Sequence, residues 1–297
     1  MTRPFAATGF RSRSHPQAAA APASVTVPEC ANVLGIKVSA VNLSSAVDIA
    51  DRWIAARNCG YICVTGVHGV MEAQRDSQFR GILNHTFLNV PDGMPLSWVG
   101  HLQGLSQMDR VFGPDFMAAL CRLSVERGYR HFLYGGETGV ADTLKQALER
   151  KFPGLRVVGT YTPPFRSLTE DEEQQLFTAI RESQPHIVWV GLGTPKQEKF
   201  MAHYAASLQV PLLIGVGAAF DYHTGRTRDC ASWIKRAGLQ WLHRLLQDPR
   251  RLWKRYLRNN PAFVWKITLQ LLKLRRYPRD AEADAREARP AVSTPPA

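Results

Sequence analysis

No run of eighteen apolar residues occurs anywhere in this 297-residue chain, so no segment reads as a helix that crosses a bilayer. Cysteine is scarce. The five, Cys30, Cys59, Cys63, Cys121 and Cys230, form no CxxC pair and no Cys/His zinc spacing, which points to reduced thiols in a cytosolic protein rather than a disulfide frame. The glycine fingerprint of dinucleotide binders is also missing. GLGTPK at 191–196 and GVGAAF at 215–220 both lack the third glycine, and there is no Walker A lysine loop. No Asp-x-Asp pair is present to hold a divalent metal against a sugar-nucleotide diphosphate. The charge of such a ligand would have to be met by helix N-termini and basic side chains. The first 28 residues, rich in Ala, Pro, Ser and Arg, lack the continuous apolar core of a secretory signal and read as a disordered tail.

Acidic residues are nearly absent from one region. Between Arg228 and Arg279 there are fourteen Lys/Arg against two acids, Asp229 and Asp248, which accounts for the whole net charge of +12. The remainder, with 23 residues of each sign, is balanced. Nucleic acid, an anionic membrane surface or a phosphorylated ligand would each explain such a segment.

What is present is ordinary globular composition, 45% hydrophobic and 21% charged. Short apolar runs at 61–64, 87–90, 131–134, 155–159, 187–190 and 212–216 read as strands. Helical patterns fall at 67–75, 139–151 and 195–206. The alternation predicts an α/β fold, a Rossmann-like, mostly parallel sheet with helices on both faces. Ligands bind such sheets beyond the carboxyl ends of the strands. After Asp221 helices take over, with three expected near 231–247, 249–258 and 261–275, Asp248-Pro249 and Asn260-Pro261 each reading as a cap plus first-turn proline. The expected organisation is a disordered tail 1–28, an α/β catalytic domain 29–228, a basic amphipathic appendage 229–277 and a disordered tail 278–297.

Each strand-end motif has two readings. Asp92, in NVPDGMP at 89–95, suits a general base on a rigid loop, and equally a turn aspartate serving local N–H groups. In GLGTPKQE at 191–198, Gly193 permits close approach to backbone, the helix start favours an anion and Gln197 can hydrogen-bond a sugar or base; the alternative is a tight turn. The turn at Gly135 and Gly136 suits a ribose or is only a turn. Thr65 and His68 offer a hydroxyl and an imidazole at another strand end, or a structural histidine. Asp221 orients a ligand or caps the next helix. Arg110 clamps a phosphate or makes a surface ion pair. The final helices interleave Trp233, Trp241, Trp253, Tyr256 and Trp265 with arginines. They suit a membrane interface, a solvated core-packing helix or nucleic acid.

Together, DGMP at 92–95, the glycine turn at 135–136, GLGTPKQE at 191–198, GAAFD at 217–221 and GLQWLHRLLQDPRRLWKRYL at 238–257 resemble the WecG/TagA/CpsF family of bacterial glycosyltransferases (glycosyltransferase family 26), over about 33–257. The resemblance implies an inverting, metal-independent transferase without cofactor. It would move a hexose or N-acetylhexosamine from a UDP-sugar donor to an undecaprenyl-diphosphate-linked saccharide, for exopolysaccharide or cell-surface polymer synthesis. It implies Asp92 as base, with Thr65, Arg110 and Gln197 in the site and Arg244, Arg251 and Arg255 meeting the diphosphate when a membrane-binding appendage docks. The protein would be cytoplasmic and peripheral on the inner face of the cell membrane, on an anionic surface, with no nucleic acid partner and with a homo-oligomer compatible. Members often carry Thr-x-Asn where this chain has TGVH at 65–68, so His68 stands in for the asparagine. RDC at 228–230 and Gln240-Trp241 also depart from the family pattern and point to a different sugar. A nucleotide-sugar epimerase and a basic nucleic-acid-binding protein are the alternatives.

Overall fold

The computed structural model describes residues 26–279. All but the last three residues of the 1–28 tail, and the second tail from residue 280 onward, lie outside the described residues. The chain opens with a hairpin of β1 (Cys30–Val33) and β2 (Ile36–Ser39), paired antiparallel. Leu34 and Gly35 both take positive φ at its turn, as a two-residue hairpin of this hand requires. Helix α1 (Leu43–Ala55) follows, with a capping box between Asn42 and Ser45. Then come β3 (Gly60–Thr65), α2 (Val67–Ala73), α3 (Ser77–His85), β4 (Leu88–Pro91), α4 (Met94–Leu102), α5 (Gly113–Arg127), β5 (Arg130–Gly135), α6 (Val140–Lys151), β6 (Arg156–Tyr161), α7 (Glu170–Ser183), β7 (Ile187–Gly191), α8 (Lys196–Leu208) and β8 (Leu212–Gly215). The chain finishes with α9 (Ala219–His223), α10 (Ser232–Arg236), α11 (Gln240–Gln247) and α12 (Pro249–Leu271).

The six strands β4-β3-β8-β7-β5-β6 form one all-parallel sheet. Successive side chains on a strand face opposite sides, and the packing follows that rule. Ile62, Val64, Leu133, Trp189 and Ile214 pack against α1, α5 and α6. Cys63, Phe132, Tyr134, Val188, Val190 and Leu213 pack on the other side against the hairpin, α2, α3, α7, α8 and α12. Strands buried on both faces are what an all-parallel sheet demands. All six carboxyl ends therefore open on one edge, where the strand-end motifs gather.

The C-terminal helices differ from expectation. The segment 231–247 splits at Gly238, where φ is +71° and an added Cβ would lie 2.6 Å from the Trp98 ring. Asp248 does cap the next helix, its side chain accepting from the Arg251 N–H, with Pro249 in the first turn. Pro261, however, starts no new helix; α12 runs through it. A proline removes one helical hydrogen bond, here to the Leu257 carbonyl, and Pro261 lies on the exposed side, where water can serve that carbonyl. The opposite stripe, Leu252, Asn259, Phe263 and Ile267, is buried against the body and holds the helix continuous. Further bonds fix its end: Gln270 accepts from the Leu34 N–H (2.8 Å) and donates to the Asn32 carbonyl (2.6 Å) in the hairpin. Among the described residues no helix is long and apolar enough to cross a membrane.

Candidate active site

Asp92 leaves the end of β4, and its backbone N–H donates to the Thr65 carbonyl at the end of adjacent β3 (2.8 Å). Gly66 has no side chain because Asp92 lies against it; an added Cβ would sit 2.9 Å from the Asp92 carbonyl oxygen. Burial pushes the Asp92 carboxyl up from its ordinary range. The positive charges of Arg110 and Arg244 oppose the shift, Asp115 reinforces it, and Arg255 opposes it again. The charges of three expected arginines, Arg110, Arg244 and Arg255, thus all act on one carboxylate.

These arginines are held by rings and amides rather than by ion pairs. The Arg110 guanidinium lies 4.4 Å from the Phe112 ring centroid, with Lys235 Nζ at 5.5 Å from the same ring. Arg244 lies 5.8 Å from the Tyr222 ring, which meets Phe112 edge-on at 5.2 Å. Arg255 lies 5.0 Å from the Tyr256 ring. Arg110 also donates to Gln240 Oε1 (2.9 Å). Several buried polar atoms here have no protein partner: Thr65 Oγ1, Arg110 Nε and Arg255 Nε. Buried polar groups are rarely left so. Their concentration beside Asp92, together with unpaired guanidinium charge, fits a site for a polyanion that also carries hydroxyls.

The glycine turns build the neighbouring wall. Gly135 takes φ +123°, and an added Cβ would fall 2.6 Å from the Gly191 carbonyl oxygen. Gly136 donates its N–H to that same carbonyl (3.1 Å). These two glycines let the turns after β5 and β7 touch. Gly193 differs: its φ is +74°, and an added Cβ would meet nothing within 4 Å, so it faces open space.

Gln197 is buried, and both of its amide atoms are engaged by the protein. Its Oε1 accepts from the Gly193 N–H (3.1 Å) and its Nε2 donates to Glu198 Oε1 (3.0 Å). Glu198 also accepts from Thr194 Oγ1 (2.8 Å), while its Oε2 is buried without a partner. Burial raises the Glu198 carboxyl, against the hydrogen bonds from Thr194 and Gln197. In this structure Gln197 holds the shape of the turn, and the Gly193 N–H is already taken.

His68 is likewise engaged. Arg75 donates to Asn259 Oδ1 (3.0 Å), which orients the amide so that Nδ2 donates to His68 Nδ1 (3.1 Å). The Thr194 backbone also lies close enough to favour the protonated ring. The ring is pushed down to about 4 by burial first and then by Arg255, with Arg75 adding to the fall and Glu72 and the Thr194 backbone opposing it. His68 therefore stands neutral, tying α2 to α12.

Two expected residues make local contacts. Arg251 is exposed and pairs with Asp248 (2.6 Å) at the start of α12. Asp221 lies inside α9, whose N-cap is Ala218, and its carbonyl accepts from the Thr227 N–H. Tyr222, Phe112, Glu198 and Asn259 were not singled out from the sequence. Only Glu198 left a signal there, its i, i+4 spacing from Thr194 across a helix start. Gln240 was noted only as a departure.

The parallel sheet thus carries a half-buried carboxylate and an arginine cluster at its carboxyl edge, an arrangement suited to anionic ligands. Residues 31–277 match the Glycosyl transferase WecG/TagA/CpsF family, and the chain belongs to it. The chain is a glycosyltransferase, which replaces the epimerase and nucleic-acid readings. It is similar to the N-acetylglucosaminyldiphosphoundecaprenol N-acetyl-beta-D-mannosaminyltransferase of Bacillus spizizenii, 28% identical over 226 residues, covering 76% of this chain and 85% of that protein. It is similar also to the protein of the same description from Bacillus subtilis, 27% identical over 217 residues, 73% of this chain and 82% of that one.

Proposed function

We propose that this chain transfers an N-acetylhexosamine or hexose from a UDP-sugar to a saccharide on undecaprenyl diphosphate, with inversion at the anomeric carbon. The observation that carries this reading is that Asp92 lies in the field of Arg110, Arg244 and Arg255 at the carboxyl edge of the sheet. Asp92 accepts the proton of the acceptor hydroxyl while that oxygen attacks the anomeric carbon. The bond from that carbon to the UDP oxygen breaks, and UDP leaves with the electron pair. A carboxyl raised from its ordinary range is a better base near neutral pH. Guanidinium groups already in place stabilise the charge that develops on UDP.

The relatives' names supply an N-acetylglucosaminyldiphosphoundecaprenol acceptor and a transferred N-acetyl-β-D-mannosaminyl group. The changes at His68 and Gln240 leave room for another sugar. The exposed Trp233, Leu239, Leu242, Leu246, Trp253 and Trp265 of α10–α12, set among the basic residues, support docking on the anionic inner face of the cell membrane.

The test is incubation of the full chain with a panel of UDP-sugars and lipid-diphosphate-linked N-acetylglucosamine, with products weighed by mass spectrometry. Formation of a β-linked lipid disaccharide from one donor is the expected result. Release of no sugar to the lipid from any UDP-sugar would contradict the reading.

A further inference from the structure

Helix α12 has two unlike faces. One, through Leu252, Asn259, Phe263 and Ile267, is buried and pinned. The other forms an apolar groove against α11, of about 540 Å³, lined by Trp241, Tyr256, Leu257, Pro261, Val264 and Trp265. That volume lies in the range of small-molecule sites, about 300–1,000 Å³. Leu257, Val264 and Trp265 are 65%, 60% and 66% exposed, which a chain without an apolar occupant for this face would rarely keep.

One end of the groove says what fits it. Trp241 and Tyr256 meet there, ring centroids 5.6 Å apart. Their immediate chain neighbours are Gln240, which holds Arg110, and Arg255, whose guanidinium approaches the Tyr256 hydroxyl (3.3 Å). Both arginines act on Asp92. A single ligand spanning the two places would carry a polyanionic head beside Asp92 and a branched apolar tail lying along α12.

We infer that this groove binds the first isoprene units of the lipid diphosphate acceptor, directly after the diphosphate. The inference rests on the lipid-acceptor reading above. It adds that the lipid is recognised by the protein itself and does not serve only as an anchor in the bilayer. Filling the groove aligns the diphosphate on Arg255 and Arg244, and so fixes how far the sugar reaches toward Asp92.

The test is calorimetry on the full chain without vesicles, using geranyl diphosphate and methyl diphosphate as probes. Geranyl diphosphate should bind at least tenfold more tightly. Val264→Asp, at an exposed position, should bring the two within twofold of each other, as should Leu257→Asp, with UDP affinity and thermal midpoint unchanged. Equal binding of both probes by the wild-type chain would overturn the inference. So would a geranyl preference that both variants retain. So would variants that lose binding to phosphatidylglycerol vesicles when the wild-type chain shows no geranyl preference, since the face would then be a plain membrane contact. Probe binding is read without donor sugar or transfer, so failure of the transfer assay and failure of the groove are separate results.

Discussion

The Asn259 amide donates to Nδ1 of His68 (3.1 Å), joining α12 to α2, the helix that follows β3. Asn259 is 3% exposed, and Arg75 holds its other end. His68 lies close also to the Thr194 backbone, in the turn before α8. Asn259→Leu takes the donor from His68 Nδ1 and one of two acceptors from Arg75, which keeps Glu72 Oε1 (2.7 Å). It should cost about 0.5–1.5 kcal/mol of stability, the usual net contribution of a hydrogen bond. Urea denaturation checks this, and an unchanged midpoint would mean that the contact contributes nothing.

Gly135 and Gly193 should respond in opposite ways to alanine. At Gly135 the new Cβ would sit 2.6 Å from a backbone oxygen at φ +123°. Strain of this kind costs about 1–3 kcal/mol before the clash is counted, so Gly135→Ala should lower stability sharply. At Gly193 the Cβ meets nothing, and only about 1–2 kcal/mol of left-handed strain applies. Gly193→Ala should therefore fold, yet weaken donor binding, because the methyl enters the space the turn leaves open. Thermal melts paired with donor KM separate the two cases.

Glu198→Gln and Glu198→Ala should also diverge. The glutamine keeps an oxygen for Thr194 and Gln197; alanine takes the acceptor from the Thr194 hydroxyl and from Gln197 Nε2. We expect Glu198→Gln to retain kcat/KM within about threefold. Glu198→Ala should lose about tenfold, which corresponds to about 1.4 kcal/mol. Steady-state kinetics decide it, and equal behaviour of the two would remove Glu198 from any role in shaping the turn.

Acid should destabilise the fold through His131. Trp189 Nε1 donates to its Nδ1 (2.8 Å), which requires the neutral ring, and burial first, then His186, pushes the ring down to about 3. In the unfolded chain the ring takes up its proton near pH 6.5. Between about pH 6.5 and about 3 the unfolded state therefore binds a proton that the folded state does not. Stability is fully present above that window and falls as pH drops through it, by at most about 1.4 kcal/mol per pH unit for one ring. His68, held at about 4, adds the same sign over the upper part of the window. Asp92 and Glu198, raised instead, act oppositely, their contribution being lost as pH rises through their folded values. Urea titrations at several pH values should show a shallower slope for His131→Gln than for the wild-type chain. Identical slopes would show that His131 titrates normally.

Much of this was legible in the sequence, for physical reasons. The six apolar runs were readable because strands buried on both faces cannot carry charge, and all six are strands. The short hairpin was not, because Leu34 adopts a positive φ that no turn residue advertises. Pro261 misled because its local signal is a helix start, whereas the buried stripe of Leu252, Asn259, Phe263 and Ile267 decides otherwise through packing. Within the site, Asp92, Arg110, Arg244 and Arg255 came from motifs, and the three arginine charges do act on the carboxylate. Tyr222, Phe112 and Asn259 could not be found, since an aromatic that seats an arginine or an asparagine that holds a histidine leaves no spacing signature. Gln197 shows the limit from the other side: a motif residue expected to face ligand has both its amide groups taken by the protein.

The most direct measurement is transfer by Asp92→Asn, alongside UDP affinity by calorimetry. The account expects turnover to fall by at least about a hundredfold, the low end of what a positioned base contributes. UDP affinity should stay within a few-fold, because the arginines remain. Turnover close to that of the wild-type chain in this variant would contradict Asp92 as the group that takes the acceptor's proton.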